Sequence, residues 1–555
     1  NGIDNVGDSR VRGWTDQTPV KTIDHANSLL INPQDGGSWD NNIIVVMGTL
    51  NSDADFRSTG SNPATLTGKW GDKDYRGIIK IKQINPDGGE NVLNPVHQPG
   101  KKGSNCHVLA DTKFEYLTFQ ANSNTDGNNF IECHGNNVWF GKGLVMTNFA
   151  NLTMNHGNLE AAQNTPELTI VLTATNLNEA TIQKYTTRTK PQVVTFESGR
   201  YGRIMGGRYT NGFFAAGTNT SHTILGSAEH PIWAVINVDI EKNSPNEGTI
   251  NRTEAPNKGT VTNAYTCDIN CIVAGLTDGT MYGDYEINVH GGRICYIVGG
   301  NQGNPVPNGS KTFTQPGGKS GNWGQWPNAS YFGRTVINIE QDDQLADISI
   351  DNVYAGGLGR MKNGSDASTT VVDMYLYGRT EVNMKSGTVL GNVYGGGAGG
   401  VIGLNPWDMH VPYATTDADN ATNAIMNKVQ YGEWGAKQTG DALANVTLHN
   451  LNIDGIHYDT EYLDLGTSST TLNISGGTIN GSVYGGGFGY VSNMTTDVCM
   501  QGVGSVFGTS NINISGGTIG GSVYGGSQGH SFYYGTKNNY GQTIDHIAEM
   551  NGAVN

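Results

Sequence analysis

The feature that most constrains the fold is a close internal repeat of short strand-forming segments bounded by glycines. The stretch "LNISGGTINGSVYGGGFG" at 472–489 returns as "INISGGTIGGSVYGGSQG" at 512–529. Isoleucine, valine, threonine and tyrosine favour extended backbone, whereas glycine accepts positive φ angles and allows sharp corners. The repeat therefore predicts a chain of very short strands that meet at glycine corners.

Two markers of the repeat recur over more than half of the sequence. The first is an apolar–Asn–apolar triplet, whose asparagines are Asn237, Asn288, Asn338, Asn383, Asn452, Asn473 and Asn513. The second is a glycine-rich block that occupies 296–303, 352–359, 392–399, 482–489 and 522–529. The shortest triplet interval, 21 residues from Asn452 to Asn473, suits one turn of a three-sided coil. Intervals of 40 to 51 residues suit two turns, or one turn with a loop.

This pattern favours an all-β fold, a single-stranded parallel β-helix or solenoid with long loop insertions. A helical solenoid is excluded because no long window has a 3.6-residue period. A propeller or a sandwich is the alternative. A propeller would carry four antiparallel strands in each blade, and its familiar Trp and Asp signatures are absent.

The chain divides into three predicted parts. Residues 1–40 form an N-terminal cap segment, 41–300 form the first β-helix coils, and 301–555 form coils with VYGGG repeats. Short strands are predicted in the first coils at 41–50, 76–84, 114–120, 128–133 and 137–148. Loop insertions are predicted in the last part at 304–332, 402–444 and 490–508.

These segments carry two resemblances. The stretch over about 40–300 resembles the first coils of pectate-lyase-like right-handed parallel β-helices. The "GGTIxGxVYGGG" blocks over about 280–529 resemble repeats of large secreted or cell-surface β-helix proteins of Bacteroidetes-type bacteria. The resemblance implies a right-handed coil, and neither family label fixes an activity.

Stacking of the repeats predicts which side chains align. Strand alternation places Val353, Val393, Val483 and Val523 inward and Tyr354, Tyr394, Tyr484 and Tyr524 outward. The tyrosines then form either an exposed aromatic stripe or a protective stack on one another. Alignment of "CIVAG" with "CYIVGG" pairs Cys271 with Cys295, and we expect thiols there because in-register parallel neighbours direct their Cβ atoms poorly for a disulfide.

Composition excludes some partners. A formal net charge of -16 disfavours binding to nucleic acid, since phosphate contacts need lysine or arginine. No apolar run is long enough for a membrane span. The polar, acidic composition and the non-methionine first residue fit a processed mature protein, or a fragment of one, that is extracellular or lies on a bacterial cell surface.

Few residues suggest catalysis. "NTDG" at 124–127 resembles a polygalacturonase segment, but only Asp126 carries over, because the expected downstream motifs are missing. Asp268, Asp278, Asp284 and Glu286 near Arg293 would suit a lyase-like Ca²⁺ pocket if they converged, and no other cofactor is predicted. The residues that a metal could use near 450–464 are His449, His457, Asp459, Glu461 and Asp464. No catalytic or metal residue is assigned from the sequence.

The favoured function is a non-enzymatic structural or adhesive protein whose loops contact glycans or another surface. Exposed aromatic rings stack well on sugars, so the candidate contacts are Trp323, Trp326, Trp407, Trp434 and the four tyrosines of the repeat, Tyr354, Tyr394, Tyr484 and Tyr524. The alternative is a polysaccharide lyase or glycoside hydrolase acting on acidic polysaccharide. The uncapped last repeat also predicts end-to-end self-association, or continuation in a longer chain.

Overall fold

The computed structural model gives the backbone of the strand-forming regions of the chain and of its first helix. The described residues are 19–20, 22–51, 62–81, 106–121, 130–133, 135–146, 150–154, 169–173, 191–207, 221–225, 232–242, 244, 250–251, 264–265, 267–276, 279–302, 313–314, 320–321, 329–361, 371–372, 374–402, 451–453, 456–458, 468–489, 504, 506–528 and 550–551.

Helix is confined, within these ranges, to the N-terminal cap segment. Helix α1 spans Ile23–Ser28, and a 3-10 turn spans Pro33–Asp35. Thr22 caps α1 because its hydroxyl accepts a hydrogen bond from the His25 N–H. Ile23 is buried in the same core cluster as the first strands, so α1 covers the N-terminal end of that core. No helix in the described part of the chain is long and apolar enough to cross a membrane.

Sixteen strands form the largest sheet, which we call sheet 1. They are β1 (Ile43–Val45), β3 (Ala64–Thr67), β8 (Thr112–Glu115), β11 (Val138–Phe140), β14 (Thr169–Thr173), β15 (Gln192–Phe196), β17 (Ser221–Leu225), β18 (Ile232–Asp239), β22 (Gly279–Gly291), β26 (Ala329–Ile339), β30 (Met374–Met384), β33 (Val401–Ile402), β36 (Ser469–Ile474), β39 (Val506–Phe507), β40 (Thr509–Ile514) and β43 (Met550–Asn551).

Thirteen shorter strands form sheet 2. They are β7 (Cys106–His107), β10 (Phe130–Glu132), β13 (Ala150–Thr153), β16 (Tyr201–Met205), β21 (Ile269–Val273), β23 (Arg293–Val298), β27 (Ser349–Tyr354), β31 (Thr388–Val389), β32 (Val393–Tyr394), β37 (Thr478–Ile479), β38 (Val483–Tyr484), β41 (Thr518–Ile519) and β42 (Val523–Tyr524).

Sheet 3 has four strands and lies in the first part of the chain. Its strands are β2 (Thr49–Asn51), β6 (Ile78–Ile81), β9 (Thr118–Ala121) and β12 (Val145–Met146). The remaining strands form antiparallel pairs, β4 (Lys69–Trp70) with β5 (Lys73–Asp74), β19 (Ile250–Asn251) with β20 (Ala264–Tyr265), β24 (Phe313–Thr314) with β25 (Ser320–Gly321), β28 (Arg360–Met361) with β29 (Val371–Val372), and β34 (Leu451–Ile453) with β35 (Ile456–Tyr458).

Nearly all pairings within the three large sheets are parallel, the exception among described strands being β14 with β17. The chain leaves sheet 1, enters sheet 2 or sheet 3, and returns to sheet 1 beside its earlier strand. For example, β22, β26 and β30 pair over eleven residues each, and β23 and β27, which follow β22 and β26, pair in sheet 2. The all-β prediction is confirmed, and the parallel order excludes the blades of a propeller.

One continuous apolar core runs between the sheets. Val353, Val393 and Val483 are buried in it, as strand alternation predicts. Hydroxyl groups also cross this interior, because Thr380 donates to the Gly395 carbonyl at 2.8 Å and Thr470 donates to the Gly485 carbonyl at 2.7 Å. Each VYGG corner is thereby tied to the sheet 1 strand of the same rung.

Glycine is required where neighbouring rungs touch through their backbones. A Cβ atom on Gly395 would lie 2.4 Å from the Gly485 carbonyl oxygen. At Gly378, where φ is +144°, it would lie 2.0 Å from the Gly333 carbonyl oxygen. The glycine-rich blocks therefore allow rungs to approach more closely than any other residue would permit.

Three sequence predictions need correction. Asn452 lies in β34, which pairs with β35 as an antiparallel hairpin, so the 21-residue interval to Asn473 is not one coil. The apolar–Asn–apolar triplet at 451–453 gave a wrong prediction because a three-residue pattern does not show which strand pairs with it. Ala329–Phe332 and Val506–Phe507 belong to β26 and β39, so the insertions predicted at 304–332 and 490–508 end earlier than expected.

The cysteine alignment was also wrong by one residue. Cys271 lies opposite Tyr296 in the pairing of β21 with β23, and not opposite Cys295. The register follows Ile269 opposite Ile294, which fixes the two strands in the core. The expectation of thiols is met, since none of the five described cysteines forms a disulfide.

Candidate functional site

The outer face of sheet 1, the sheet with the most strands, carries regular rows of side chains. In β18, Ala234, Ile236 and Val238 are buried, while the alternate residues from Trp233 to Asp239 point outward. The same alternation continues through β22, β26, β30 and β36, and the rows from Trp233 to Asn237 keep one register through the strands that extend to them. The register of β18 with β22 shifts after Val238, so that Asp239 lies opposite Gly291. Strand β40 keeps the register of β36, although its Ile514 is 44% exposed. Outward residues thus form straight rows that run across the strands.

The central row is a ladder of asparagine side chains. In each step the Nδ2 of one asparagine donates to the Oδ1 of the asparagine on the preceding strand. The distances are 3.1 Å for Asn288 to Asn237, 2.8 Å for Asn338 to Asn288, 2.9 Å for Asn383 to Asn338, 2.8 Å for Asn473 to Asn383 and 2.8 Å for Asn513 to Asn473. The ladder satisfies the amides of a half-exposed row and fixes their direction.

A second row carries an aromatic ring and charges. Trp233 on β18 lies opposite Asp284, which lies opposite Arg334, which lies opposite Arg379. The Trp233 side chain is 39% exposed. Arg334 forms an ion pair with Asp284, with 2.9 Å between Nη2 and Oδ1. The row therefore offers a flat apolar ring beside polar groups, the combination that sugar rings bind.

Titratable side chains gather at the carboxyl ends of the sheet 1 strands. The Nδ1 of His290 lies 2.6 Å from the Oδ1 of Asp239. One strand earlier, Glu197 follows β15, and its backbone carbonyl accepts a hydrogen bond from the Glu241 N–H at 2.8 Å. The Glu241 carboxylate accepts from the Gly143 N–H at 3.0 Å, so these turns are joined to one another.

Burial raises the pKa of Glu197 above its usual range. Lys113 and Lys142 lower it in part, whereas the nearby charge of Asp239 raises it further. Lys113 itself is held by the Glu115 carboxylate at 2.7 Å and lies 4.6 Å from the centroid of the Trp139 ring. Glu197 is therefore a half-buried carboxyl group that keeps its proton to a higher pH than an exposed glutamate does, and it lies near the Asp239 carboxylate that His290 contacts.

The four predicted tyrosines stack on one another instead of forming a surface stripe. Their ring centroids are 5.0, 4.9 and 4.9 Å apart along Tyr354, Tyr394, Tyr484 and Tyr524, and neighbouring rings are 9° from parallel. Leu358, Ala398 and Phe488 pack over them in a second apolar cluster. Tyr354, Tyr394 and Tyr484 are buried and offer no ring face to a ligand, and Tyr524 is 47% exposed.

Most other sequence candidates lie outside the described residues. These are Trp323, Trp326, Trp407, Trp434, Asp126, Asp278, His449, Asp459, Glu461 and Asp464, together with the side chain of His457.

The described residues of the predicted Ca²⁺ pocket, Asp268, Asp284 and Glu286, do not lie together. Asp268 is buried and accepts from the backbone N–H of Arg293 at 2.9 Å beside sheet 2. Asp284 and Glu286 lie on the outer face of sheet 1. Among described residues, no three histidine, cysteine or acidic side chains are grouped so that they could hold a metal ion.

Sequence reasoning missed Trp233 and the cluster of Glu197, Asp239 and His290. Trp233 stands four residues before the triplet asparagine Asn237, so strand alternation alone places it on the ladder face. No sequence pattern marks Glu197 and His290 as neighbours of Asp239, because their strands, β15 and β22, are far from each other in the sequence.

Comparison with protein-family models, with curated proteins and with solved structures gives no match for this chain.

Proposed function

We propose that the chain is a single right-handed parallel β-helix that serves as a structural or adhesive protein at a bacterial cell surface, without enzymatic activity. Its parallel rungs return to the same sheets, and connections between parallel strands are right-handed in nearly all proteins. An electron-density map that resolves side chains would give the hand of the coil directly.

The contact surface in this proposal is the outer face of sheet 1, and it binds glycans or another polar surface. The observation that carries the proposal is the exposed Trp233 ring in a row with Asp284 and Arg334, on the same face of sheet 1 as the asparagine ladder. Fixed amides and an ion pair give oriented donors and acceptors, and the indole gives apolar area. Such a surface is preorganised because rung stacking holds every group in place.

Binding to a glycan array tests this proposal, with Trp233→Ala as the variant. Loss of the ring should weaken binding by about thirtyfold, since a central aromatic contact is worth roughly 2 kcal/mol. Trp70→Ala is the matched control, because Trp70 is 54% exposed on the β4–β5 hairpin away from the ladder. Equal binding by the wild type and Trp233→Ala, or no binding by the wild type to any glycan or bacterial surface, would reject the proposal.

A second candidate function, cleavage of an acidic polysaccharide, is favoured by Glu197 and its neighbours. A carboxyl group with a raised pKa is suited to protonate a leaving oxygen, and the Asp239 carboxylate beside His290 is suited to accept a proton. Release of reducing or unsaturated ends from acidic polysaccharides measures it. Glu197→Gln should abolish the release, whereas Glu340→Gln, at the exposed Glu340–Lys385 ion pair, should retain it.

A further inference from the structure

The row of side chains that begins at Trp233 contains a cation without a partner. Arg334 donates to the Asp284 carboxylate through Nε at 3.0 Å and through Nη2 at 2.9 Å, so its charge is balanced within the row. Arg379 follows in the same row and is exposed. In the described part of the chain, no side chain forms a hydrogen bond or an ion pair with the Arg379 guanidinium. The row thus presents one uncompensated positive charge to solvent.

Arg379 is the exception among the described charged side chains on the outer face of β18, β22, β26 and β30 or directly after these strands. The others are joined in pairs, Asp284 with Arg334, Glu340 with Lys385 and Asp239 with His290, or to ladder amides, Glu286 with Asn338 at 3.5 Å and Glu381 with Asn473 at 3.4 Å. Glu381 stands two residues after Arg379 on the same strand, and its carboxylate accepts from the ladder. The two acids of the intervening row are thus engaged by the ladder, which leaves the positive charge in the Trp233 row.

The two arginines of the row lie directly opposite each other on neighbouring strands. Like charges in this position destabilise a sheet, and Asp284 offsets only one of the two. The bonds to Asp284 use Nε and Nη2 of Arg334, which leaves the two donors of its Nη1. An oxyanion held between Arg334 and Arg379 would therefore meet donors from both and remove the remaining repulsion.

The spacing of the row sets the size of a ligand that uses both ends. Trp233 and Arg379 are three strand steps apart in register, about 14 Å at the usual spacing of neighbouring strands. A single sugar or a free inorganic anion cannot reach from one to the other, whereas a chain of several sugars can. Ser469 lies opposite Arg379 on β36, so the next position of the row holds no bulky side chain.

We propose that this surface binds an anionic oligosaccharide, with one sugar on the Trp233 ring and a carboxylate or sulfate group between Arg334 and Arg379. The inference rests on the proposed glycan-binding function, and it adds the charge of the ligand and its direction across the strands. A planar guanidinium suits both oxyanions because it donates two parallel hydrogen bonds. The formal net charge of -16 repels acidic polymers in general, so binding depends on this local contact and selects ligands whose acidic group meets Arg379.

A glycan array that pairs acidic glycans with their neutral forms tests the inference. Each uronic acid glycan is printed beside the same glycan with its carboxylates reduced to alcohols, and each sulfated glycan beside its desulfated form. The wild type should bind the acidic member of a pair at least about tenfold more tightly, because a charge-assisted hydrogen bond is lost with the acid. The set that shows the difference identifies the oxyanion as carboxylate or sulfate.

Arg379→Gln should reduce binding of the acidic glycan to the level of its neutral form and should leave binding of the neutral form unchanged. Arg379→Lys should recover part of the loss, since it restores the charge without the planar fork. Lys385→Gln is the matched control, because Lys385 is an exposed cation on the other side of the ladder, paired with Glu340, and it should bind as the wild type does. Circular dichroism checks that all three variants are folded.

Two results would overturn the inference. One is equal affinity of the wild type for the acidic and neutral members of every pair, and the other is a preference for acidic glycans that Arg379→Gln retains. If Trp233→Ala weakens binding while either result holds, the glycan-binding function stands and only the charge of the ligand is wrong. If the wild type binds no glycan at all, the proposed function fails together with this inference.

Discussion

The coils before residue 207 and those after residue 279 use the same sheet register with different side chains. One inward row contains Phe114, Phe140 and Phe196 in the early coils and continues as Val238, Val289, Ile339, Met384 and Ile474 in the later ones. The adjacent outward row contains Lys113, Trp139 and Thr195 early and only asparagine from Asn237 onward. The early coils are held by aromatic rings inside, and the later coils by amides outside.

The difference shows that regular repeats are not needed for the stack itself. Phe140 stacks on Phe114 and on Phe196, with ring centroids 5.6 and 5.2 Å apart, and gives the early coils a packed interior without a repeated motif. The later coils have valine, isoleucine or methionine in that inward row and asparagine at every rung of the adjacent outward row. Near-identity of the rungs permits the asparagine ladder, the tyrosine stack and the glycine contacts.

Phe140→Ala should cause the largest loss of stability, and that loss should be confined to the early coils. Removal of a fully buried ring with two stacked neighbours costs about 3–5 kcal/mol. Hydrogen exchange measures the loss locally, as reduced protection of amides in β8, β11 and β15. Protection in β30 and β36 should not change, because stability in a stack of rungs depends on nearest neighbours. Equal loss in both regions would contradict the comparison.

Gly378→Ala should lower the free energy of unfolding of the later coils by about 2–4 kcal/mol. A Cβ atom there would lie 2.0 Å from the Gly333 carbonyl oxygen, and the φ angle of +144° is strained for alanine. The expected result is loss of amide protection in β26 and β30. Gly48→Ala is the control, because a Cβ atom on Gly48 meets nothing within 4 Å, and it should leave protection unchanged.

Asn383→Ala should cost about 1–2 kcal/mol, since it removes one donor and one acceptor from the middle of the ladder. Asn513→Ala removes one bond at the exposed end and should cost less. Thermal unfolding followed by hydrogen exchange of β26, β30 and β36 compares the two variants. If Asn513→Ala is as harmful as Asn383→Ala, the ladder is not the source of the stability.

Glu197→Gln should change stability the least of these variants, and the size of the change should depend on pH. A raised pKa in the folded state means that the protonated carboxyl stabilises the fold at low pH. That contribution is lost as the pH rises from the usual glutamate value through the raised pKa. Glutamine stays neutral, so the variant should lose less stability than the wild type over this interval, measured as melting temperature against pH. If the melting temperatures of the wild type and the variant change in parallel with pH, the pKa of Glu197 is not raised in the folded state.

Much of this architecture could be predicted from the sequence, because glycine corners and strand alternation act locally. Three of the four valines predicted to point inward are buried, the exception being Val523 at 45% exposure, and six of the seven triplet asparagines lie in the ladder, as those two rules predict. Asn452 and the register of Cys271 could not be predicted, since both depend on which distant strand lies beside them. The burial of the tyrosines depends on Leu358, Ala398 and Phe488, each of which follows a tyrosine of the repeat by four residues. That spacing is visible in the sequence, but it does not show that these side chains pack over the rings.

Crosslinking between engineered cysteines tests the in-register stack most directly. The double variant Asn383→Cys/Asn473→Cys places two thiols on adjacent strands, about 5 Å apart, and a short bis-maleimide should join them within one molecule. The pair Asn452→Cys/Asn473→Cys, although only 21 residues apart in sequence, should not react, because Asn452 lies on the β34–β35 hairpin outside sheet 1. Mass spectrometry of the linked peptides reads both results. Efficient linkage of 452 to 473 without linkage of 383 to 473 would contradict the stacking of rungs described above.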